Sequence, residues 1–370
     1  MKPNPSAPRA LLGALLLTLC SLAGAQEGVT KTTIVLGQSV ALTGPASSLG
    51  QAFAQGAKLY FDRVNAEGGV NGRTINVLTL DDAGTPATTL ANTKKLLAQG
   101  VLSLFGYYGS PQLTAAYPAI KDSDVLLFAP MAAADEFRGA MYPNVYSLRP
   151  GYSEEAAAIT RHAETLGARK LVILHSSDGE SLAALDSAER TMTSLGADLL
   201  LKAPLEKVEQ ALQVRPQSVL VVSDPKGAAA AIRTLRDKGF RGPVYGFSNT
   251  GESLLADLLG PVGAGVVVTR VVPKSDNYKV AVVRELQADM AAAKLGKPNV
   301  YLLEGSTAAR IYVAGLRGAG KDPTRAKLKK AFDGMVDVSI GDFRVHFAGD
   351  RVASKMVQLG VIDSQGRVRD

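Results

Sequence analysis

The feature that most constrains this chain is an alternation that begins at Ile34 and continues to its end: short apolar runs of strand length, each followed by an amphipathic stretch of helix length. IVLGQSV (34–40) precedes a helical pattern over 48–66, in which Phe53, Ala57, Tyr60 and Val64 recur on one face before Gly68-Gly69 stop it. TINVLTL (74–80) precedes a helix over 86–99, VLSLF (101–105) precedes one opened by Pro111, and VLLF (125–128) and VYSLR (145–149) follow. A second series starts after Arg149-Pro150-Gly151, with strands at 170–174, 197–201, 218–222, 243–247 and 265–269 and helices over 153–166, 182–195 and 225–238. Helices over 278–295, 301–317 and 324–332 come next, and the segment from Asp342 to Ile362 reads as strands around a turn at Gly349-Asp350. Strands alternating with helices form parallel sheets covered on both faces, so the expectation is an α/β protein of two similar halves facing each other across a cleft. On such sheets ligands bind beyond the carboxyl ends of the strands.

The N-terminus, MKPNPSAPRALLGALLLTLCSLAGAQ, has a basic start at Lys2 and Arg9, an apolar stretch from Ala10 to Cys20, and Ala23-Gly24-Ala25 before Gln26. That is the layout of a signal peptide, with cleavage expected after Ala25 and a periplasmic destination. Leu19, not a small residue, precedes Cys20, which argues against lipidation. Cys20 is the single cysteine, so the exported chain has no disulfide and depends on its own cores. With 370 residues in all, it is long enough for two domains of ordinary size. No later apolar run approaches the ~20 residues of a membrane span. The net charge of +7 is scattered, with only short pairs such as Lys94-Lys95 and Lys329-Lys330, which argues for a mildly basic solvated surface and against a nucleic-acid partner on the criterion of clustering.

The catalytic motifs dissolve on inspection. GLRGAGKD (315–322) has the glycine and lysine spacing of a phosphate loop, but Asp322 stands where a Ser or Thr would hold magnesium, and a helix precedes it where a strand is needed. His162, His175 and His346 lie far apart without paired metal-ligand spacing, and no G-x-S-x-G elbow occurs. His175 ends a strand and begins the polar loop HSSDGES, yet a base without a nucleophile makes no active site. The chain therefore reads as a non-enzyme that needs no cofactor. Three loops after strands carry more weight: SVALTGPASSLG (39–50), GYYGSP (106–111) and APMAAADEF (129–137). Ser110 before Pro111 reads as a helix cap followed by the first helical position, leaving N–H groups free for an anion beside the tyrosine pair.

GQAFAQGAKLYFDRVNAEGGVNGRTINVLTLDDAGTP (50–86), with its GGVNGR turn and its Asp81-Asp82 pair, resembles the leucine/isoleucine/valine-binding proteins, type I periplasmic solute-binding proteins of branched-chain amino-acid ABC transporters. The likeness continues through FGYYGSPQLTAAYP and LLFAP to GFSNTGESLL (246–255). It implies two flavodoxin-like lobes joined by a three-segment hinge, 26–148 with 273–351 and 149–272 with 352–370, and no metal or cofactor. A monomer would trap a small amino acid or related carboxylate and pass it to an ABC permease in the inner membrane; the alternative is a sensory module reporting occupancy to a membrane receptor. The resemblance carries the contacts to a ligand's carboxylate and amino group onto Ser110 and onto the loop at Met131, Ala132 and Ala133, and Tyr108 of the tyrosine pair is a candidate beside them. The family's threonine is Ala133 here, its acidic partner for the ammonium is Ser248, its first-loop aromatic is Leu49, and its second-lobe aromatics fall near Asp178 and Ser223. These departures argue against a standard branched-chain amino acid unless Asp178 or Asp224 supplies the lost charge, because each missing partner of a buried polar group costs about 1–3 kcal/mol.

Overall fold

A computed structural model describes residues 28–370; the expected signal peptide lies outside the described residues. The first half is built from β1 (Thr33–Val40), α1 (Ser47–Ala66), β2 (Thr74–Asp81), α2 (Pro86–Ala98), β3 (Ser103–Phe105), α3 (Ser110–Ala116), β4 (Leu127–Phe128) and β5 (Val145–Tyr146). Its sheet has the order β2-β1-β3-β4-β5, with every pairing parallel. The second half runs α4 (Tyr152–Thr165), β6 (Lys170–His175), α5 (Gly179–Ser194), β7 (Asp198–Pro204), α6 (Val208–Gln213), β8 (Ser218–Val222), α7 (Pro225–Asp237), β9 (Val244–Gly246), α8 (Glu252–Leu259) and β10 (Val266–Arg270). Its five parallel strands repeat the pattern as β7-β6-β8-β9-β10.

The chain then returns to the first half with α9 (Ala281–Ala292), α10 (Val300–Gly318), α11 (Arg325–Asp333) and the hairpin β11 (Val338–Ile340) and β12 (Phe343–Val345). It finishes in the second half, where β13 (Gln358–Ile362) and β14 (Val368–Arg369) extend the sheet antiparallel beyond β10. Two α/β lobes joined by three crossings result: the alternation of strands and helices implied the two halves, and the family resemblance the three crossings.

Helix α10 is apolar nearly all round because it is buried nearly all round, and it lies against α1. The two backbones meet at a reciprocal pair of glycines. A Cβ on Gly56 would stand 2.0 Å from the Leu302 carbonyl oxygen, and one on Gly305 would stand 2.0 Å from that of Phe53. Around this crossing an aromatic cluster fills the first lobe: Phe105 packs against Phe53, Phe61 and Phe128, and Phe128 stacks on Phe332 with ring centres 4.6 Å apart.

Two expectations are corrected. The strands flanking Gly349-Asp350 do not pair with each other: β12 pairs with β11 across Gly341-Asp342, both at positive φ, and β13 joins the other lobe. A Gly-Asp pair with both φ values positive matches the geometry of a tight two-residue hairpin turn, while the 349–350 segment belongs to the third crossing. Ser110 is likewise not a cap. Gly109, at φ 97°, occupies the cap position, and Ser110 and Pro111 are the first two residues of α3.

Candidate functional site

The order 2-1-3-4-5, found in both sheets, places a switch in strand order between β1 and β3 in one lobe and between β6 and β8 in the other. Loops diverge at such points and leave a crevice at the carboxyl ends of the strands. Here the two crevices face each other and enclose a cavity of about 480 Å³, walled by Ala46, Gly84, Tyr108 and Gln112 from one lobe and by Asp178, Leu205 and Asp224 from the other.

Each wall is positioned by backbone chemistry. Past β3 the chain bends at Gly106, φ 61°, and the two tyrosines that follow part company. Tyr107 enters the first-lobe core, with its hydroxyl 3.0 Å from that of Thr93, while Tyr108 lines the cavity. Tyr108 is fixed by a bridge to Met131, in which the Met131 N–H donates to Tyr107 and the Gly109 N–H donates to Met131. Burial, with Glu180 nearby, pushes the Tyr108 phenol well above its usual range, so it stays a neutral donor and acceptor. Its hydroxyl has no hydrogen-bond partner among the described residues.

Across the gap, Asp178 and Asp224 cap α5 and α7. Asp178 accepts from the Ser181 N–H at 3.0 Å and Asp224 from the Gly227 N–H at 2.8 Å. Burial pushes the Asp178 carboxyl up, but donors from Ser176 and Ser181 outweigh it and hold the group below its usual range, hence ionised. Ser223, beside Asp224, also lines the cavity.

The lobes are tied together by two buried polar clusters. In one, Glu180 from the first turn of α5 accepts from the Ser110 N–H across the gap and from the Tyr152 hydroxyl at 2.6 Å. The Ser110 hydroxyl in turn accepts from the Ala134 N–H at 3.2 Å. The expected free donor at Ser110 is therefore occupied by the protein's own carboxylate. The approach is possible because Gly179 leaves room: a Cβ there would stand 2.4 Å from Pro111 Cγ.

In the other cluster, Arg149 forks onto both oxygens of Glu304, each at 2.8 Å, and reaches the Ser248 hydroxyl at 3.2 Å. Glu155 accepts from the Ser248 N–H and hydroxyl, each at 2.8 Å, and from Thr269. Burial alone would lower the Arg149 guanidinium, but Glu304 beside it raises it above its usual value. Burial pushes the Glu155 carboxyl up, against the pull of Arg149 and its donors.

Of the residues singled out in the sequence, Tyr108, Asp178, Ser223 and Asp224 are thus brought together on the cavity wall, with Ser110 at its edge under Glu180. Ser248 faces the Arg149 cluster instead, and its carbonyl accepts from the Tyr301 hydroxyl. Leu49 is fully buried in the first-lobe core. Met131, Ala132 and Ala133 are buried behind Tyr108, and the Ala133 carbonyl accepts from the Tyr152 N–H at 2.9 Å. His175 is bonded to its neighbour's carbonyl, Ser176, at 3.0 Å. Gly315 of the phosphate-loop spacing lies inside α10. Among the described residues no group of His, Cys, Asp and Glu has metal-binding geometry.

Sequence reading missed Glu180, Arg149, Glu155 and Glu304. Glu180 lay within the loop HSSDGES, already marked as polar, and Arg149 sat at the boundary between the two series; neither signal says that the side chain crosses to the other lobe.

Comparison with known proteins agrees with this architecture. Residues 33–367 match the family described as periplasmic binding protein. The chain belongs to that family. A Leu/Ile/Val-binding protein of Citrobacter freundii is 24% identical over 365 residues, covering 95% of both chains. Among solved structures, an extracellular ligand-binding receptor from Verminephrobacter eiseniae superposes with a TM-score of 0.85 at 23% identity, covering 92% of this chain and 100% of the other. A fatty acid ABC transporter substrate-binding protein from Thermomonospora curvata superposes at 0.82 with 22% identity, covering 93% and 92%. One fold thus accompanies names as different as branched-chain amino acids and fatty acids. The ligand is a property of the cleft, not of the fold.

Proposed function

We propose that this protein is the extracytoplasmic solute-binding component of an ABC importer, holding a small polar solute between its lobes and delivering it to a membrane permease. The observation that carries the reading is the cavity of about 480 Å³, shared by both lobes and placed over both switch points. Its size suits a molecule on the scale of an amino acid, and the amino acids bound by Leu/Ile/Val-binding relatives, with their small derivatives, are the first candidates. A wall made from both lobes also couples occupancy to closure, which is what a permease would recognise. No helix among the described residues is long and apolar enough to cross a membrane.

The test is a thermal-shift screen of amino acids, amino-acid amides, amines and small carboxylic acids. A ligand that binds the folded form alone stabilises it by about 2.7 kcal/mol at a hundredfold excess over Kd, so the matching compound raises Tm progressively with concentration. A flat response across all four classes contradicts the proposal.

A further inference from the structure

The Ser110 N–H, which the sequence leaves free for an anion, is already bonded to Glu180. Glu180 is only 8% exposed and is held from behind by the Tyr152 hydroxyl, so it is built into the contact between the lobes. The cavity persists beside it. Three carboxylates, Asp178, Glu180 and Asp224, contribute to its wall, and no Lys, Arg or His does. The guanidinium of Arg149, buried nearby, is bound by both oxygens of Glu304, so its charge is already matched. An anion entering this space would meet three carboxylates with no basic side chain among the lining residues, in a setting of reduced dielectric, whereas a cation would meet acceptors on several sides. Tyr108 adds a ring face and a hydroxyl without a protein partner.

We propose that Glu180 sets the ligand class: it stands in for the carboxylate of the solute, so the cleft takes a small organic cation, an amine or amidinium without a carboxylate of its own, with its nitrogen among Asp178, Glu180 and Asp224. This deepens the importer reading and rests on it. Asp178 and Asp224 keep their capping bonds and still present charge to the cavity, which is how one residue type serves both helix and guest.

Isothermal titration of the full mature protein with matched pairs tests it: leucine against isoamylamine, arginine against agmatine, and leucine against leucinamide. In each pair the second compound lacks the carboxylate and keeps the side chain. The expected result is at least tenfold tighter binding of the member without the carboxylate in every pair that binds, and a loss of most of that ratio in Glu180→Gln, with folding confirmed by circular dichroism. Equal or tighter binding of the acid to the natural protein overturns the inference and leaves the importer reading standing. The same holds if a folded Glu180→Gln variant keeps the full ratio. Should that variant not fold, the pairs on the natural protein decide alone. No binding by any member, with a flat thermal-shift screen, overturns both.

Discussion

At the scale of single residues, Arg149 is the side chain whose loss should cost most. Its guanidinium is buried, its fork is matched to both Glu304 oxygens, and Ser248 and Glu155 complete the cluster. A buried pair is weak evidence of net stabilisation, but removing one partner strands the other. Arg149→Met should therefore lower unfolding stability by about 3–5 kcal/mol in urea titration, and a change below about 1 kcal/mol would show that water reaches Glu304. Asp81 makes a second prediction. Bonds from the Thr43 hydroxyl and from the N–H groups of Ala83, Leu42 and Thr43 lower its pKa from 3.8 to about 2. A folded-state value below the unfolded one gives stability that is present above pH 3.8 and lost as pH falls toward 2. In Asp81→Asn the decline of Tm between pH 4 and pH 2 should be shallower than in the natural protein, and an unchanged slope would contradict this assignment. Beside it, Asp82 is buried and accepts from the Ser39 hydroxyl at 2.9 Å, so the pair recognised in the sequence divides its work between a loop and the core.

At the scale of elements, the helix crossing of α1 and α10 depends on two missing side chains. Gly305→Ala places a methyl group against the Phe53 carbonyl, and because both partners are backbone the helices must separate. A loss of about 1–3 kcal/mol is expected from chemical denaturation, against the small gain that alanine brings to an unencumbered helix. Neutral behaviour would mean that the crossing is looser than described. The strands and main helices were legible in the sequence because each buries a continuous or periodic apolar face: β8, Ser218–Val222, is apolar at every position after its first serine, and α1 repeats Phe53, Ala57, Tyr60 and Val64 on its buried side. Short elements were not. Helix α6 has only Val208 and Ala211 to bury, α8 follows too soon after Gly251 to show a period, and the Gly341-Asp342 turn was hidden by the similar pair at 349–350. The site was legible where residues act through their own loop, as Tyr108, Asp178 and Asp224 do. It was illegible where they act across the gap: Glu180 meets Ser110 and Arg149 meets Glu304 only because the chain crosses between lobes, at separations of 70 and 155 residues.

At the scale of the whole molecule, two like sheets oppose their switch points, and the space between them takes its charge from the second lobe. The Glu180 bridge and the Arg149 cluster hold the lobes together and lie beside the cavity, so a guest there would stabilise the same arrangement that encloses it. The most direct measurement is a crystal structure of the protein with the compound that stabilises it best. The expected arrangement is one molecule between Tyr108 and the Asp178 and Asp224 caps, with Glu180 still bonded to the Ser110 N–H. Density for the compound outside the gap between the lobes, or a ligand carboxylate on Ser110 with Glu180 displaced, would contradict it.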